Sequence, residues 1–376
     1  MPLFKVRKWS INRCIRYNAE MDSLTIRKPD DWHVHLRDGA MLEAVLPFTA
    51  RVFGRAIVMP NLFPNPIVTT EDAVAYRKQI MEKSGAFPDF TPLMTYYMTE
   101  ATSPEDIARG FKEGVAHAVK VYPANATTNS ALGVTDIRNV YPVLAKMQSI
   151  GMPVLLHGET VLKDGKEIDT KDREKTFLDT TLPELLKDFP ELKIVLEHAT
   201  TKDAVDFVTE TNSPRLGSTV TLHHLASDTE DIAHAEHPEY MHCTPIIKTE
   251  NDKAALRKAV TSGNSHFFLG TDSAPHPISA KQKVPPAAGI FTAPAALELY
   301  ANIFELEGKL ENLEAFASLN GARFYGMEPN AETITLKKES WTIDEPIAVS
   351  NGESIYPFGY HEDPAKRLPI RWKIAD

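Results

Sequence analysis

Asp31-Trp32-His33-Val34-His35-Leu36-Arg37-Asp38 places two imidazoles two residues apart at the end of a short strand-like segment. Side chains at positions i and i+2 of a strand share one face, so His33 and His35 can converge on one metal ion. On its own the pair is weak evidence, since two ordinary polar histidines would give the same pattern. The metal interpretation gains support from the rest of the chain, where polar residues follow further short apolar segments.

Eight short β-rich segments, separated by stretches long enough for helices, predict an α/β protein built on a (β/α)8 TIM barrel. Several segments are continuous apolar runs, such as Phe267-Phe268-Leu269, as is typical of parallel strands buried on both faces. Thr70-Glu71-Asp72 and Ser103-Pro104-Glu105-Asp106 predict helix starts, each from a capping residue and early acids. The predicted strands are residues 29–36, 55–60, 91–98, 116–122, 153–157, 193–198, 218–223 and 266–271.

The length of 376 residues fits one barrel with small additions at the ends. We expect the metal-dependent catalytic barrel over residues 21–330 and a small appendage packed on it over residues 331–376. Residues 1–20 form a basic N-terminal extension. It is either a targeting leader or sequence upstream of a functional start at Met21.

Composition and charge exclude several classes of protein. A net charge of -10 gives no electrostatic footprint for nucleic acid, so we expect a small-molecule substrate. No apolar run approaches the roughly 20 residues that cross a bilayer, so no membrane association is expected. The only cysteines, Cys14 and Cys243, allow neither a disulfide framework nor a cysteine-based zinc site. This favours a reducing compartment and a cytoplasmic location.

Polar residues that could take part in catalysis or bind a ligand lie at the carboxyl ends of most predicted strands. In a barrel these ends form one rim, so residues distant in sequence would meet in one site. Each residue alone could be a polar cap, a surface cation or a helix N-cap, but together they predict a site. The residues are His33, His35, Arg37, Asn61, Lys120, His157, His198, Asp272 and His276.

Four of the five histidines in this set suit zinc together with Asp272, namely His33, His35, His157 and His198, and two ions would leave fewer ligands unused than one. Lys120 is the exception, because an ammonium has no lone pair to offer a metal. A lysine modified by carbon dioxide would instead present a carboxylate that could bridge two ions.

Four motifs in order carry a resemblance to a known family. They are Pro29 to Gly39, Met59-Pro60-Asn61-Leu62, Lys120 to Ser130, and Leu269 to His276. From about Leu24 to the C-terminal region the chain resembles the amidohydrolase superfamily, and most closely its single-chain dihydroorotases of bacteria and plants.

The resemblance implies a dinuclear zinc site. One zinc would be held by His33, His35 and Asp272, and the second by His157 and His198, with Lys120 as a bridging N6-carboxylysine. The implied reaction is the reversible cyclisation of N-carbamoyl-L-aspartate to L-dihydroorotate and water in pyrimidine (UMP) synthesis, with Asp272 as catalytic base and acid. A homodimer is implied as well.

The resemblance also implies a set of substrate contacts. Three residues would bind the substrate carboxylate, two threonines would belong to a loop that closes over the substrate, and backbone groups would supply further contacts. These residues are Arg37, Asn61 and His276 for the carboxylate, Thr127 and Thr128 for the loop, Thr244 and Ala288 for the backbone contacts, and the zinc ligand His157.

The chain departs from the family pattern in three places. Residues Ala226 to Glu230 replace an Asn-Arg-Asn-like run, Lys281 to Pro286 replaces a cysteine-rich loop, and Thr244 stands where leucine is common. Two alternatives therefore stay open. One is a hydantoinase or dihydropyrimidinase-like cyclic amidohydrolase, and the other is a noncatalytic amidohydrolase-like scaffold.

Overall fold

The computed structural model describes residues 22–375, and the basic extension over residues 1–20 lies outside them. All eight predicted barrel strands are present, each overlapping its predicted range. The strands are β1 Ser23–Arg27, β2 Asp30–Val34, β3 Arg55–Val58, β4 Thr91–Tyr97, β5 Ala116–Val121, β6 Val154–His157, β7 Leu162–Lys163, β8 Lys166–Glu167, β9 Ile194–Glu197, β10 Leu216–Val220, β11 Phe267–Leu269, β12 Thr333–Trp341, β13 Ile347–Ala348, β14 Ser354–Ile355 and β15 Ile370–Ile374.

Eight of these strands form one parallel sheet in the order β11-β10-β9-β6-β5-β4-β3-β2. The sheet closes just beyond the end of β11, where the Asp272 amide donates to the His33 carbonyl at 2.8 Å and the His35 amide donates to the Ser273 carbonyl at 3.1 Å. Closure therefore joins the two segments that carry His33, His35 and Asp272. The predicted (β/α)8 barrel is confirmed.

Helices follow most barrel strands, as predicted. Ser103 caps α3 with Pro104 at its first position, whereas α2 is capped by Thr69 and not by Thr70. Thr70 instead lies inside the helix, where its hydroxyl contacts Tyr96. The helices are α1 Gly39–Ala50, α2 Thr70–Lys83, α3 Pro104–Lys112, α4 Tyr141–Ile150, α5 Arg173–Asp179, α6 Thr181–Asp188, α7 Lys202–Thr211, α8 Leu222–Ala226, α9 Thr229–Ala233, α10 Glu250–Thr261, α11 Ile278–Lys281, α12 Ala296–Leu306 and α13 Asn320–Tyr325.

Residues beyond the barrel form a second, smaller sheet. Strand β12 lies between β1 and β15, antiparallel to both, so the first described strand pairs with the C-terminal region. The predicted division of the chain near residue 330 stays a prediction. Within residues 22–375 no helix has the length and apolar character needed to span a membrane.

The core has two main parts. The larger lies between the barrel sheet and its helices, and a smaller cluster of buried residues includes Trp32, Ile57, Leu155 and Phe268, which come from four barrel strands. Burying this apolar surface contributes roughly 25 cal/mol for each Å² removed from water. This packing gives the rim above it a rigid base.

Candidate active site

Side chains from the first and last barrel strands converge at the carboxyl end of the sheet. The Nε2 atoms of His33 and His35 lie 3.4 Å apart, and Asp272 Oδ1 lies 3.2 Å from the first and 3.1 Å from the second. The predicted convergence of His33 and His35 is therefore present. The barrel closure places Asp272 against both.

These three atoms fit a metal ion. Ligand atoms about 2.0–2.1 Å from a tetrahedral zinc lie about 3.3 Å from one another, which matches the separations of the three atoms. A second group of donor atoms, from His33, Glu197 and His198, lies within 4.8 Å of one another. The Nδ1 atom of His198 is buried and has no hydrogen-bond partner among the described residues. Buried polar atoms are rarely left unpaired, so this nitrogen is available as a ligand.

The other two predicted ligands lie beside this pair of groups. The rings of His157 and His198 are 4.7 Å apart between centroids, and His157 Nε2 lies 2.8 Å from Glu159 Oε2. Lys120 is fully buried at the end of β5, where its ammonium is paired with Glu197. The structure thus brings all six predicted ligands together.

Glu197 joins the two halves of the site. One of its oxygens pairs with Lys120, and the other lies 3.0 Å from His33 Nδ1. A carboxylate on the far nitrogen of a ligating histidine fixes the orientation of the ring and makes it a better ligand. The last residue of β9 therefore positions a ligand on β2.

Backbone strain accompanies the site. His198 and Asp272 each have a φ of 43°, and Arg37 has a φ of 59°, although none of the three is glycine. Residues with side chains enter this left-handed region at a cost, and the cost is found most often where function needs it. The strain aims these three side chains into the cavity.

Charge in the site is arranged around Asp272. Burial alone would raise the pKa of Asp272, but the imidazoles of His33 and His35 outweigh it and hold the pKa well below its usual range. Burial also lowers the pKa of His33, but Glu197 and Asp272 outweigh it and raise that pKa to about 9. Burial lowers the pKa of His35 to about 4. Burial also lowers the pKa of Lys120, although the negative charge of Glu197 acts to raise it. The site therefore holds an ionised carboxylate beside a neutral His35.

A cationic group faces the same cavity from the loop after β2. Arg37 donates from Nε to the Pro275 carbonyl at 3.0 Å, and its Nη2 lies 3.1 Å from His276 Nε2. The Arg37 carbonyl accepts from the Tyr76 hydroxyl at 2.5 Å. Pro275 and His276 thus hold the guanidinium, Tyr76 holds the Arg37 backbone, and Arg37 lines the cavity.

The predicted loop residues form the other wall. Thr128 donates to the Ala288 carbonyl at 3.2 Å, and its own carbonyl accepts from Asn61 Nδ2 at 3.1 Å. Thr244 and Thr127 join through their hydroxyls at 2.5 Å. The two threonines of this loop therefore bridge the segments that carry Asn61, Thr244 and Ala288.

Together these residues line one cavity at the rim, and this cavity is partly open to solvent. Lys120 and His276 do not line it; Lys120 is fully buried, and His276 contacts Arg37 and the Ala288 carbonyl. The predicted residues that line it are His33, His35, Arg37, Asn61, Thr127, Thr128, His157, His198, Thr244, Asp272 and Ala288.

Sequence reasoning missed several buried acids around the site. Glu197 and Glu159 contact predicted ligands, and Asp31 accepts hydrogen bonds from the Thr271 amide at 2.9 Å and from its hydroxyl at 2.6 Å. Burial raises the pKa of Asp31 to about 7, against the hydrogen bonds it accepts. A signal was available, because each acid lies within two residues of a predicted histidine ligand.

Comparison with known proteins agrees with this geometry. The model of the amidohydrolase family matches residues 30–343. A dihydroorotase of Hahella chejuensis is 49% identical over 353 residues, which cover 94% of this chain and 99% of the relative.

Solved structures show the same relationship. A dihydroorotase of Saccharomyces cerevisiae in complex with 5-fluoroorotic acid matches with a TM-score of 0.86 and 33% identity, covering 94% of this chain and 98% of that one. An L-hydantoinase (dihydropyrimidinase) of Arthrobacter aurescens matches with a TM-score of 0.73 but only 17% identity, covering 93% of this chain and 82% of the hydantoinase chain. The second likeness shows a shared fold alone, so it does not favour the hydantoinase alternative.

Proposed function

The chain belongs to the amidohydrolase family, and within it to the dihydroorotases, and from this premise we propose how its rim site interconverts N-carbamoyl-L-aspartate and L-dihydroorotate. The observation that carries the proposal is the placement of Asp272. Its carboxylate contacts the imidazoles of His33 and His35 and lines the same cavity as the Arg37 guanidinium. A proton acceptor thus faces an anchor for an anionic substrate.

We propose two zinc ions in each subunit. His33, His35 and Asp272 would hold the first, His157 and His198 the second, and a carboxylated Lys120 would bridge them. When bound, such ions supply Lewis acidity that polarises an amide carbonyl and lowers the pKa of water. In support, the donors of the first group have zinc-like separations and His198 Nδ1 is unpaired among residues 22–375.

Asp272 moves the proton in this proposal. In the hydrolytic direction water adds to the ring carbonyl carbon and gives a proton to the Asp272 carboxylate. The carbon–nitrogen bond of the ring then breaks as Asp272 passes that proton to the departing nitrogen. Because Oδ1 faces His33 and His35, Oδ2 is the atom left for this transfer.

We propose that Arg37, Asn61 and His276 bind the substrate carboxylate, Arg37 and Asn61 from the cavity wall and His276 from its place beside Arg37. A guanidinium can offer two parallel N–H donors to a carboxylate, and the Arg37 fork is already held in place. Thr127 and Thr128 would add hydroxyl donors and exclude water from above. A hydantoin has no carboxylate for this anchor, so the cluster favours dihydroorotate.

The test measures the loss of ultraviolet absorbance of L-dihydroorotate on addition of zinc-loaded protein, with Asp272→Ala as the matched control. We expect the signal to fall with the wild type alone. Hydrolysis of hydantoin with no action on dihydroorotate would contradict the proposal, and equal activity of the control would remove Asp272 from its role.

A homodimer and a cytoplasmic location are part of the same proposal, and the relationship to dihydroorotases supports them only indirectly. Light scattering of the purified full chain would give its mass and decide the first. Fractionation of the source cells would decide the second.

A further inference from the structure

Lys281 is a buried cation that the proposed chemistry does not use. It ends the short helix α11, and only 4% of its surface is exposed. Its ammonium donates to the carbonyls of His242 at 2.8 Å, Ala287 at 3.0 Å and Gly289 at 2.7 Å. An ammonium has three donors, so all of them are used.

A buried charge of this kind is costly unless it is well paired. Within residues 22–375 no carboxylate lies at ion-pair distance from Lys281, so its direct partners are three carbonyl oxygens, and Glu239 acts on its charge only from farther away. The cost of desolvating an ammonium means that these carbonyls are held firmly around it. The interaction therefore fixes the backbone that supplies the carbonyls.

That backbone belongs to two walls of the active site. The His242 carbonyl lies two residues before Thr244, and the carbonyls of Ala287 and Gly289 flank Ala288. The Gly289 amide also donates to the His242 carbonyl at 3.0 Å. A single ammonium thus ties the segment around Thr244 to the segment around Ala288.

Both segments carry a backbone N–H that has no acceptor among the described residues. Thr244 and Ala288 line the cavity, and neither backbone N–H donates to another residue in the described part of the chain. The Ala288 carbonyl is occupied by Thr128 and lies 2.9 Å from His276 Nε2. The two N–H groups of these cavity-lining residues are therefore available to a ligand.

We infer that Lys281 is a positioning residue for substrate binding, holding the backbone N–H groups of Thr244 and Ala288 at a fixed separation. The inference rests on the proposed function and assigns a role to Lys281 alone, the first residue of the segment from Lys281 to Pro286 where the chain departs from its family's pattern. Lys281 acts through the backbone and does not touch the substrate.

The protonation of Lys281 gives the inference a distinct signature. Burial lowers the pKa of Lys281 to about 8, against the weaker pull of Cys243 and Glu239. Above that pH the neutral amine keeps two N–H donors and turns a lone pair toward a carbonyl oxygen. The hydrogen bonds that tie the segments around Thr244 and Ala288 to Lys281 then weaken. The KM for L-dihydroorotate should therefore rise as pH passes about 8.

Other titratable groups near Lys281 do not mimic this signature. The imidazoles that face it have pKa values below their usual range because burial disfavours their charged forms, and burial raises the pKa of the Cys243 thiol to about 12. These groups keep one protonation state between about pH 7 and about pH 9. The imidazoles are those of His223, His242 and His276.

The experiment compares the wild type with Lys281→Met and with Lys283→Met, an exposed lysine of the same loop. At about pH 7 we expect Lys281→Met to raise the KM for L-dihydroorotate about ten-fold with kcat within about two-fold, the pattern of lost ground-state binding. Lys283→Met should match the wild type. From about pH 7 to about pH 9.5 the KM of the wild type should climb, whereas that of Lys281→Met should not.

The outcomes separate the two proposals. A wild type that does not act on dihydroorotate would overturn the proposed function, and the inference with it. An active wild type with an unchanged KM in Lys281→Met would overturn the inference alone. Should Lys281→Met lose its thermal unfolding transition, the pH profile of the wild type decides, and a KM that is flat across pH 8 overturns the inference.

Discussion

Lys120 shows how strongly one buried residue constrains the chemistry of the site. With no exposed surface, its ammonium is neutralised by Glu197, and burial lowers the pKa of the amine. Carbon dioxide reacts with the unprotonated amine, and the carboxylate formed would exchange a positive charge for a negative one. The ion pair seen here is therefore the arrangement expected of the unmodified side chain.

Replacement of Lys120 tests this residue directly. Lys120→Ala should lower turnover of dihydroorotate by about a hundred- to a thousand-fold or more, as when a group that stabilises transition-state charge is removed. The zinc content of the subunit should fall as well. Steady-state rates and elemental analysis measure both, with Lys163→Ala in the exposed hairpin strand β7 as control. Near-normal turnover by a variant with two zinc ions would refute the bridging role.

For single residues, the sequence predicts the side chains that would hold the metal better than the side chains that support them. His33 and His35 could be paired because a strand repeats every two residues. Glu197 could not be assigned a role from the sequence, because its partners Lys120 and His33 are distant along the chain. An acid at the end of a strand can also be exposed to solvent. Lys281 was visible only as a departure from a family pattern, since its partners are backbone carbonyls.

Helix α12 illustrates the cost of an acid inside a packed element. Glu298 is only 1% exposed, and its Oε2 has no hydrogen-bond partner among the described residues. Burial raises the pKa of Glu298 to about 7, against a weaker pull from Arg51. The native state therefore keeps a proton that the unfolded chain releases near pH 4.5.

The sign of the resulting pH dependence follows from this difference. Between about pH 4.5 and about pH 7 the unfolded state binds fewer protons, so the contribution of Glu298 to stability falls as pH rises and stays low above about pH 7. Glu298→Gln should be more stable than the wild type by about 2 kcal/mol at about pH 8.5, and by much less at about pH 5. Urea unfolding at both pH values measures this, with the exposed Glu345→Gln as control. A gain of the same size at both pH values would contradict the assignment.

The ends of elements were harder to predict than their order. The strand predicted over residues 218–223 spans Leu216–Val220, because Leu222 and His223 belong to the short helix α8, which the apolar pattern does not distinguish from a strand. The pairing of Ser23–Arg27 with Thr333–Trp341 was not predicted at all. Such pairing joins opposite ends of the chain, and no local pattern reports it.

For the whole molecule, the barrel and the site depend on each other. The predicted metal ligands come from five strands or from the residues just after them, namely β2, β5, β6, β9 and β11. Because these strands include both edges of the sheet and strands between them, ions bound at the rim would link strands around the whole barrel. Hydrogen bonds from Thr271 to Asp31 also join the two edges of the sheet.

Metal removal should therefore destabilise the whole fold and not only the site. An ion that binds the native state alone, at about a thousand times its Kd, adds about 4 kcal/mol to stability. We expect chelation to lower the Tm of the full chain by several degrees and added zinc to restore it, as measured by calorimetry. In Lys120→Ala the shift should be smaller, since its metal pair lacks the bridge. A wild-type Tm that does not respond to chelation, in protein shown by elemental analysis to have lost its metal, would mean that these strands are held by their apolar packing alone.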